Sequence, residues 1–284
     1  MSGVAAASLW MVGALFSFTG MALAGRELSA ELNTFQILFF RSLIGVIIIG
    51  AVIARTGLAP LQVASVPHHI LRNIIHFGGQ FGWFFAISIL PLAQVFAFEF
   101  TVPIWTAIFA AFILGERMTV ARAGAIAIGF VGILVIARPG MVPFEIGALA
   151  ALLSAICYAT SHTLTKRLTR TDSAIAVIFF MTLLQLPMGG VPTLLDWTTP
   201  SLAMIPWLIL VGVTGLSAHY CMARAFAHAD ATVVVPMDFL RLPLIAFLGL
   251  TVYHEPLDIW VLAGAAIIFA GNFMNILVER RRGA

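Results

Sequence analysis

The chain has 284 residues, of which 61% are hydrophobic and 10% charged, and its mean hydropathy is +1.06. So little charge excludes an ordinary soluble domain and points to a polytopic membrane protein. The formal net charge of +3 does not indicate a nucleic-acid binder, because the basic residues lie between hydrophobic runs rather than in one patch.

Ten runs are long enough to cross a bilayer. The first, Ala5–Ala24, ends in the Ala-Leu-Ala of a cleavable leader but lacks the basic residues that precede one, so it is read as a helix. Thr34–Ala54, His69–Ile89, Ala93–Leu114 and Val120–Ala137 follow, then Ile146–Thr165, Ala174–Pro192, Met204–Phe226, Thr232–Tyr253 and Ile259–Leu277. Turn residues such as Leu90-Pro91 and Arg138-Pro139-Gly140 separate them. Of the 15 Lys and Arg residues, eleven fall on the N-terminal side of the membrane. Arg26 and Arg138 fall on the other side, and Arg41 and Arg241 lie inside spans. This bias places both termini in the cytoplasm. Cys157 and Cys221 lie in apolar segments and read as small buried hydrophobes.

The two halves of the chain echo each other. Ile37-Leu38-Phe39-Phe40-Arg41-Ser42-Leu43 matches Val177-Ile178-Phe179-Phe180-Met181-Thr182-Leu183, Leu114-Gly115-Glu116 matches Tyr253-His254-Glu255, and Gly129-Phe130-Val131-Gly132 matches Ile268-Phe269-Ala270-Gly271. Glu99 falls on Asp238. Residues 1–140 and 141–284 thus form two five-helix repeats. An odd number of spans per repeat inverts the second relative to the first, as in many secondary transporters. The expected fold is an all-α integral membrane protein of ten transmembrane helices.

Together, Phe109–Gly132 with its Leu-Gly-Glu, Leu248–Gly271 with His254-Glu255-Pro256, and the ten-span repeat resemble the drug/metabolite transporter superfamily. The resemblance is to its EamA-type ten-helix exporters, and most of all to the amino-acid exporters of the YddG type. It covers nearly the whole chain. It implies an inner-membrane carrier whose central cavity opens alternately to each side.

Within that topology the polar residues acquire depths. Glu99 lies about 9 Å from the outer face and Arg41 about 12 Å, at 1.5 Å of rise per residue, which makes them candidate partners. Asp238 lies about 9 Å from the inner face, with Arg241 one turn on. Pro103 and Pro243 predict kinks beside them. The two pairs read either as hinged gates or as static ion pairs. Gln80 and His219, equivalent in the repeats, fall near mid-depth with His76, Trp83, Tyr158 and Tyr220. Histidine and glutamine hydrogen-bond a zwitterion without adding a fixed charge, and aromatic faces pack apolar groups and attract ammonium. His68 and His69 read as interfacial anchors, and Trp197, Trp207 and Trp260 as belt residues. Trp10 reads as a belt residue or as cavity lining. Glycines 124, 129, 132, 264 and 271 read as close-packing sites on spans five and ten, as scaffold or as a homodimer contact.

The leading expectation is a secondary transporter that exports small neutral or aromatic amino acids or related metabolites. Its partners are that substrate and the bilayer, with no cofactor, metal or nucleic acid. The alternative is a lipophilic-cation or drug carrier of the same fold. An enzyme is not expected, since the sequence has no HExxH, no GxSxG and no converging catalytic set. Nothing resembles a channel's selectivity filter.

Overall fold

The structure, a computed structural model, describes residues 3–282 except 114, 116–118 and 139–144, with side chains at all of these but 121, 122, 232, 236, 239, 240, 272 and 275–282. The expectations resting on Leu114, Glu116, Pro139 and Gly140 lie outside the described residues.

The described secondary structure is helical throughout. The first half comprises α1 (Gly3–Leu28), α2 (Thr34–Thr56), α3 (Val66–Ile89), α4 (Leu92–Glu99), α5 (Val102–Ile113) and α6 (Val120–Ala137). The second comprises α7 (Ile146–Leu168), α8 (Ala174–Thr193), α9 (Ile205–His228), α10 (Ala231–Val234), α11 (Arg241–Val252) and α12 (Ile259–Arg282). Six segments, Gly3–Leu28, Thr34–Thr56, Leu92–Ile113, Ile146–Leu168, Ala174–Thr193 and Leu202–His228, are long and apolar enough to cross a membrane.

Local signals recur between the halves. Asn33 caps α2 by accepting from the Gln36 amide at 3.0 Å, and Ser173 caps α8 by accepting from the Ala176 amide at the same distance. The two caps stand at equivalent positions of the repeat. Gly115 (φ 71°) and His254 (φ 55°), also equivalent, are both left-handed, a conformation that costs a non-glycine residue roughly 1–2 kcal/mol.

Where kinks were expected, the helices break. The α4 helix ends at Glu99, and α5 restarts at Val102 with Pro103 as its second residue. In the second half a 3₁₀ stretch, Val235–Leu240, separates α10 from α11, and Pro243 is the third residue of α11. A proline in the first turn of a helix forfeits no hydrogen bond, because the amide there has no partner in any case. The two prolines therefore open a new half-helix instead of bending a continuous one.

Helix α1 packs along α9, α3 along α7, α2 along α8, α6 along α12, and α4 against α11. Glycine permits the α6–α12 contact. A Cβ on Gly132 would stand 2.8 Å from the carbonyl oxygen of Gly264, and one on Gly264 would stand 2.7 Å from that of Gly132. Gly124, expected to join this contact, faces open space. Large apolar side chains such as Leu9, Phe16, Ile47 and Phe112 point outward, while Arg41, Arg72, Arg241, His76, His219 and Gln80 are buried. This distribution suits a protein dissolved in lipid.

Candidate functional site

One face of α3 carries His69, Arg72, Asn73, His76, Gln80 and Trp83, none more than 2% exposed. Apart from the adjacent Arg72 and Asn73, successive members are three or four residues apart, which places them on one broad stripe along the helix through the bundle interior. Each member finds a partner. The His69 ring bonds Asp172 Oδ2 at 2.8 Å, and the Arg72 Nε donates to Thr165 at 3.1 Å. His76 Nδ1 meets Gln185 Nε2 at 2.9 Å. Gln80 Oε1 accepts from Arg41 Nη1 at 3.0 Å, while Gln80 Nε2 lies 3.4 Å from His219 Nε2. The Trp83 indole donates to Glu99 Oε2 at 2.8 Å.

The stripe meets a charged cluster at the broken helices. Arg241, 1% exposed, donates through Nη2 to Glu99 Oε1 at 2.6 Å and to Asp238 Oδ2 at 2.5 Å. Its guanidinium lies over the rings of Phe18 and Phe96, 4.8 and 4.7 Å from their centroids. Stacking against aromatic faces partly replaces the hydration it loses.

The sequence-based pairing of Glu99 with Arg41 is therefore corrected. α4 packs against α11, which brings Arg241 to Glu99. Arg41, on α2, is held between α3, α8 and α9, where its Nη2 lies 4.0 Å from Met181 Sδ. Gly215 makes room for it, since a Cβ there would stand 2.5 Å from Arg41 Nε. The expected Asp238–Arg241 pair forms, but it shares its guanidinium with Glu99. The two expected gates thus become one cluster. Tyr220 also departs from expectation. It follows His219 by about 100° of helix turn and packs on Trp10 and beside Ile49 and Ile178, away from the cluster. His69, expected at the interface, is fully buried.

His219, His76 and Tyr158 do converge. The His76 and His219 rings meet edge-on at 4.6 Å, and His76 lies 5.7 Å from Tyr158. Two adjoining cavities of about 20 Å³ each lie beside the charged cluster, one walled by Tyr158 and His219 and the other by Phe100, Pro103 and Val235. Glu99, Asp238, His162 and Met222 line both. Sequence reading missed His162 and Gln185. Both were within reach, since His162 lies one turn beyond Tyr158 and Gln185 one turn beyond Met181, the repeat equivalent of Arg41.

Cross-links hold the bundle at both ends. At one end Arg26 pairs with Glu255 at 2.5 Å and donates to the Leu90 carbonyl at 2.6 Å, while the Leu92 amide donates to Glu255 Oε2 at 2.7 Å. Arg138 pairs with Asp258 nearby. At the other end Asp172 accepts from the Ala64 amide at 3.0 Å as well as bonding His69, and Lys166 donates to the Phe226 and Ala229 carbonyls at 2.8 Å each. Burial acts to raise the pKa of Asp172, but the Ala64, Thr171 and His69 hydrogen bonds outweigh it and hold the carboxyl below its ordinary value. Among the described residues no group of three His, Cys, Asp or Glu side chains is placed to hold a metal ion.

A helical bundle with an apolar exterior and buried polar and charged groups at its centre is the arrangement of a membrane-embedded protein. The chain belongs to the EamA-like transporter family, which matches it twice, over residues 5–138 and 145–277. It is a membrane transporter and not an enzyme. It is 26% identical to an S-adenosylmethionine uptake transporter of Rickettsia bellii, over 96% of this chain and 94% of the relative. A riboflavin transporter of Rhizobium johnstonii is 29% identical over 80% and 76% of the two chains. A pseudopaline exporter of Pseudomonas aeruginosa is 28% identical over 90% of each. A crystal structure of a protein 20% identical in sequence shares the fold over 99% of both chains, with a TM-score of 0.74.

Proposed function

We propose that this chain is a secondary carrier of ten transmembrane spans that moves small neutral or aromatic amino acids, or closely related metabolites, by alternating access. Its halves, 1–140 and 141–284, enter an inner (plasma) membrane in opposite senses, with both termini cytoplasmic. One observation carries the reading: repeat-equivalent residues meet at the centre. Gln80 touches His219, 139 residues away, and Arg41 touches Met181, 140 residues away. Glu99 and Asp238 share Arg241. Residues related by a two-fold axis touch only near that axis, and in inverted-repeat carriers the substrate site lies there.

The relatives support a zwitterionic or aromatic cargo. S-adenosylmethionine carries an α-amino-acid group, and riboflavin is a flat heteroaromatic. Buried His219 and Gln80 supply neutral hydrogen bonds, while Trp83, Tyr158 and Phe18 supply ring faces. The relatives include carriers named for uptake and for export. A site on the two-fold favours neither direction, so an outward gradient of substrate makes the carrier an exporter. A lipophilic-cation carrier is the second reading, favoured by two carboxylates on one guanidinium.

The experiment is counterflow in proteoliposomes. Vesicles are loaded with each of a panel of unlabelled amino acids, and entry of labelled phenylalanine or methionine is followed. The reading expects trans-stimulated entry with some members of the panel. Folded protein that gives none with any amino acid would overturn it.

A further inference from the structure

The central cluster has a charge count that ion pairing alone leaves unexplained. Glu99 and Asp238 both bind Arg241 Nη2, and no other cation among the described residues pairs with either. Within this ion-paired set, two carboxylates on one guanidinium leave one negative charge in excess, while Arg41 and Arg72 are buried elsewhere in the bundle. Excess charge inside a membrane is costly unless a ligand or proton balances it.

Four buried atoms at that cluster lack partners: Arg241 Nε and Nη1, which line neither adjoining cavity, and two that belong to cavity-lining residues. Asp238 Oδ1 accepts no hydrogen bond, and neither does His162 Nδ1, although His162 is only 8% exposed. Both residues line the two adjoining cavities. A buried acceptor without a donor carries a desolvation penalty that a hydrogen-bonding ligand removes. The cavity walls also include Phe18, Trp83 and Tyr158, whose ring faces attract cations, and the polarizable thioether of Met222. At about 20 Å³ each cavity admits one water-sized group, the size of an ammonium head. Arg41 and Arg72, the other buried arginines of the interior, line neither cavity.

We propose that Asp238, Glu99 and His162 form the subsite for a cationic group of the transported molecule, a primary ammonium or an onium of similar size. This rests on reading the centre as a carrier site. The Asp238 carboxylate takes the charge, and the free His162 Nδ1 takes an N–H. The aromatic walls replace water on the remaining faces. Asp238 thereby recognises cargo instead of serving as a gate residue, and an anionic group is not needed for binding here.

The test compares three probes of one shape on purified full-length protein in micelles by calorimetry: phenethylamine, phenylalanine and 3-phenylpropionate. Phenethylamine and phenylalanine bind, and 3-phenylpropionate does not. Asp238→Asn weakens phenethylamine by about 10-fold or more, the scale of a lost charge-assisted hydrogen bond, and Asp238→Glu recovers most of the loss. His162→Phe, which keeps a ring against Tyr158 but has no ring nitrogen, weakens it several-fold and serves as the test where Asp238→Asn does not fold. Phenethylamine binding no tighter than 3-phenylpropionate, or unchanged in the folded variants, overturns the proposal. Amine binding that depends on Asp238, in a protein without amino-acid counterflow, supports this subsite while removing the amino-acid reading. Counterflow of phenylalanine without amine binding does the reverse.

Discussion

The sharing of Arg241 predicts an asymmetry among substitutions that separate pairs would not produce. In Glu99→Gln the guanidinium keeps Asp238 at 2.5 Å, and in Asp238→Asn it keeps Glu99 at 2.6 Å. Each single change removes one charge-assisted bond without stranding a buried ion, so each costs about 1–2 kcal/mol. The double variant leaves Arg241, 1% exposed, with no carboxylate. An uncompensated buried charge costs roughly 3–5 kcal/mol. The double variant should therefore exceed the sum of the singles by about 1 kcal/mol, a coupling within the range for residues in one network. Denaturant unfolding in micelles, followed by far-UV circular dichroism, measures the cycle. Strict additivity, with each single already costing about 3 kcal/mol or more, would refute the shared guanidinium. It would indicate that Glu99 and Asp238 each hold a separate partner.

Three further outcomes are expected. Gly132→Ala places a Cβ 2.8 Å from the Gly264 carbonyl and destabilises the α6–α12 contact by about 1–3 kcal/mol. Gly124→Ala meets no atom within 4 Å and is neutral or slightly stabilising; equal melting shifts for the two would contradict the packing. The Asp172 carboxyl sits below its ordinary pKa of 3.8, so its contribution is present above that value and is lost as pH falls through the lower folded value. Melting temperatures from neutral pH down to about 3 should thus fall more steeply for the parent than for Asp172→Asn, and parallel profiles would count against the Asp172 network. Glu255→Gln weakens the acceptor of the Leu92 amide and the Arg26 pair. Hydrogen exchange at the start of α4 should accelerate severalfold, and unchanged protection would show that this end of the bundle is held by other contacts.

Much of the helical layout was legible because membrane burial acts on whole segments. Six of the ten hydrophobic runs fall on helical segments long and apolar enough to cross a membrane, and the runs around Glu99 and Asp238 are interrupted near their acidic residues. The polar centre was legible through depth and period. Gln80, His219, His76 and Tyr158 lie at matching heights on inward faces, and the structure brings them together. The partner of Glu99 was not legible. Depth along the membrane normal placed Glu99 level with Arg41, but it carries no information about position in the membrane plane. Packing of α4 on α11 decides that position and assigns Arg241 instead. Tyr220 was misjudged because adjacency in sequence is not adjacency on a helix face. Gly124 was misjudged because a small residue marks a close approach only if a neighbouring helix is there.

The central claim is that substrate binds where the two halves meet, at Gln80 and His219. The most direct measurement is counterflow of labelled phenylalanine by His219→Ala beside the parent, in proteoliposomes of equal protein content with melting temperatures compared. The account predicts that the variant stays folded and loses trans-stimulated entry. Parent-like counterflow from folded His219→Ala would contradict it and move the substrate site off the repeat axis.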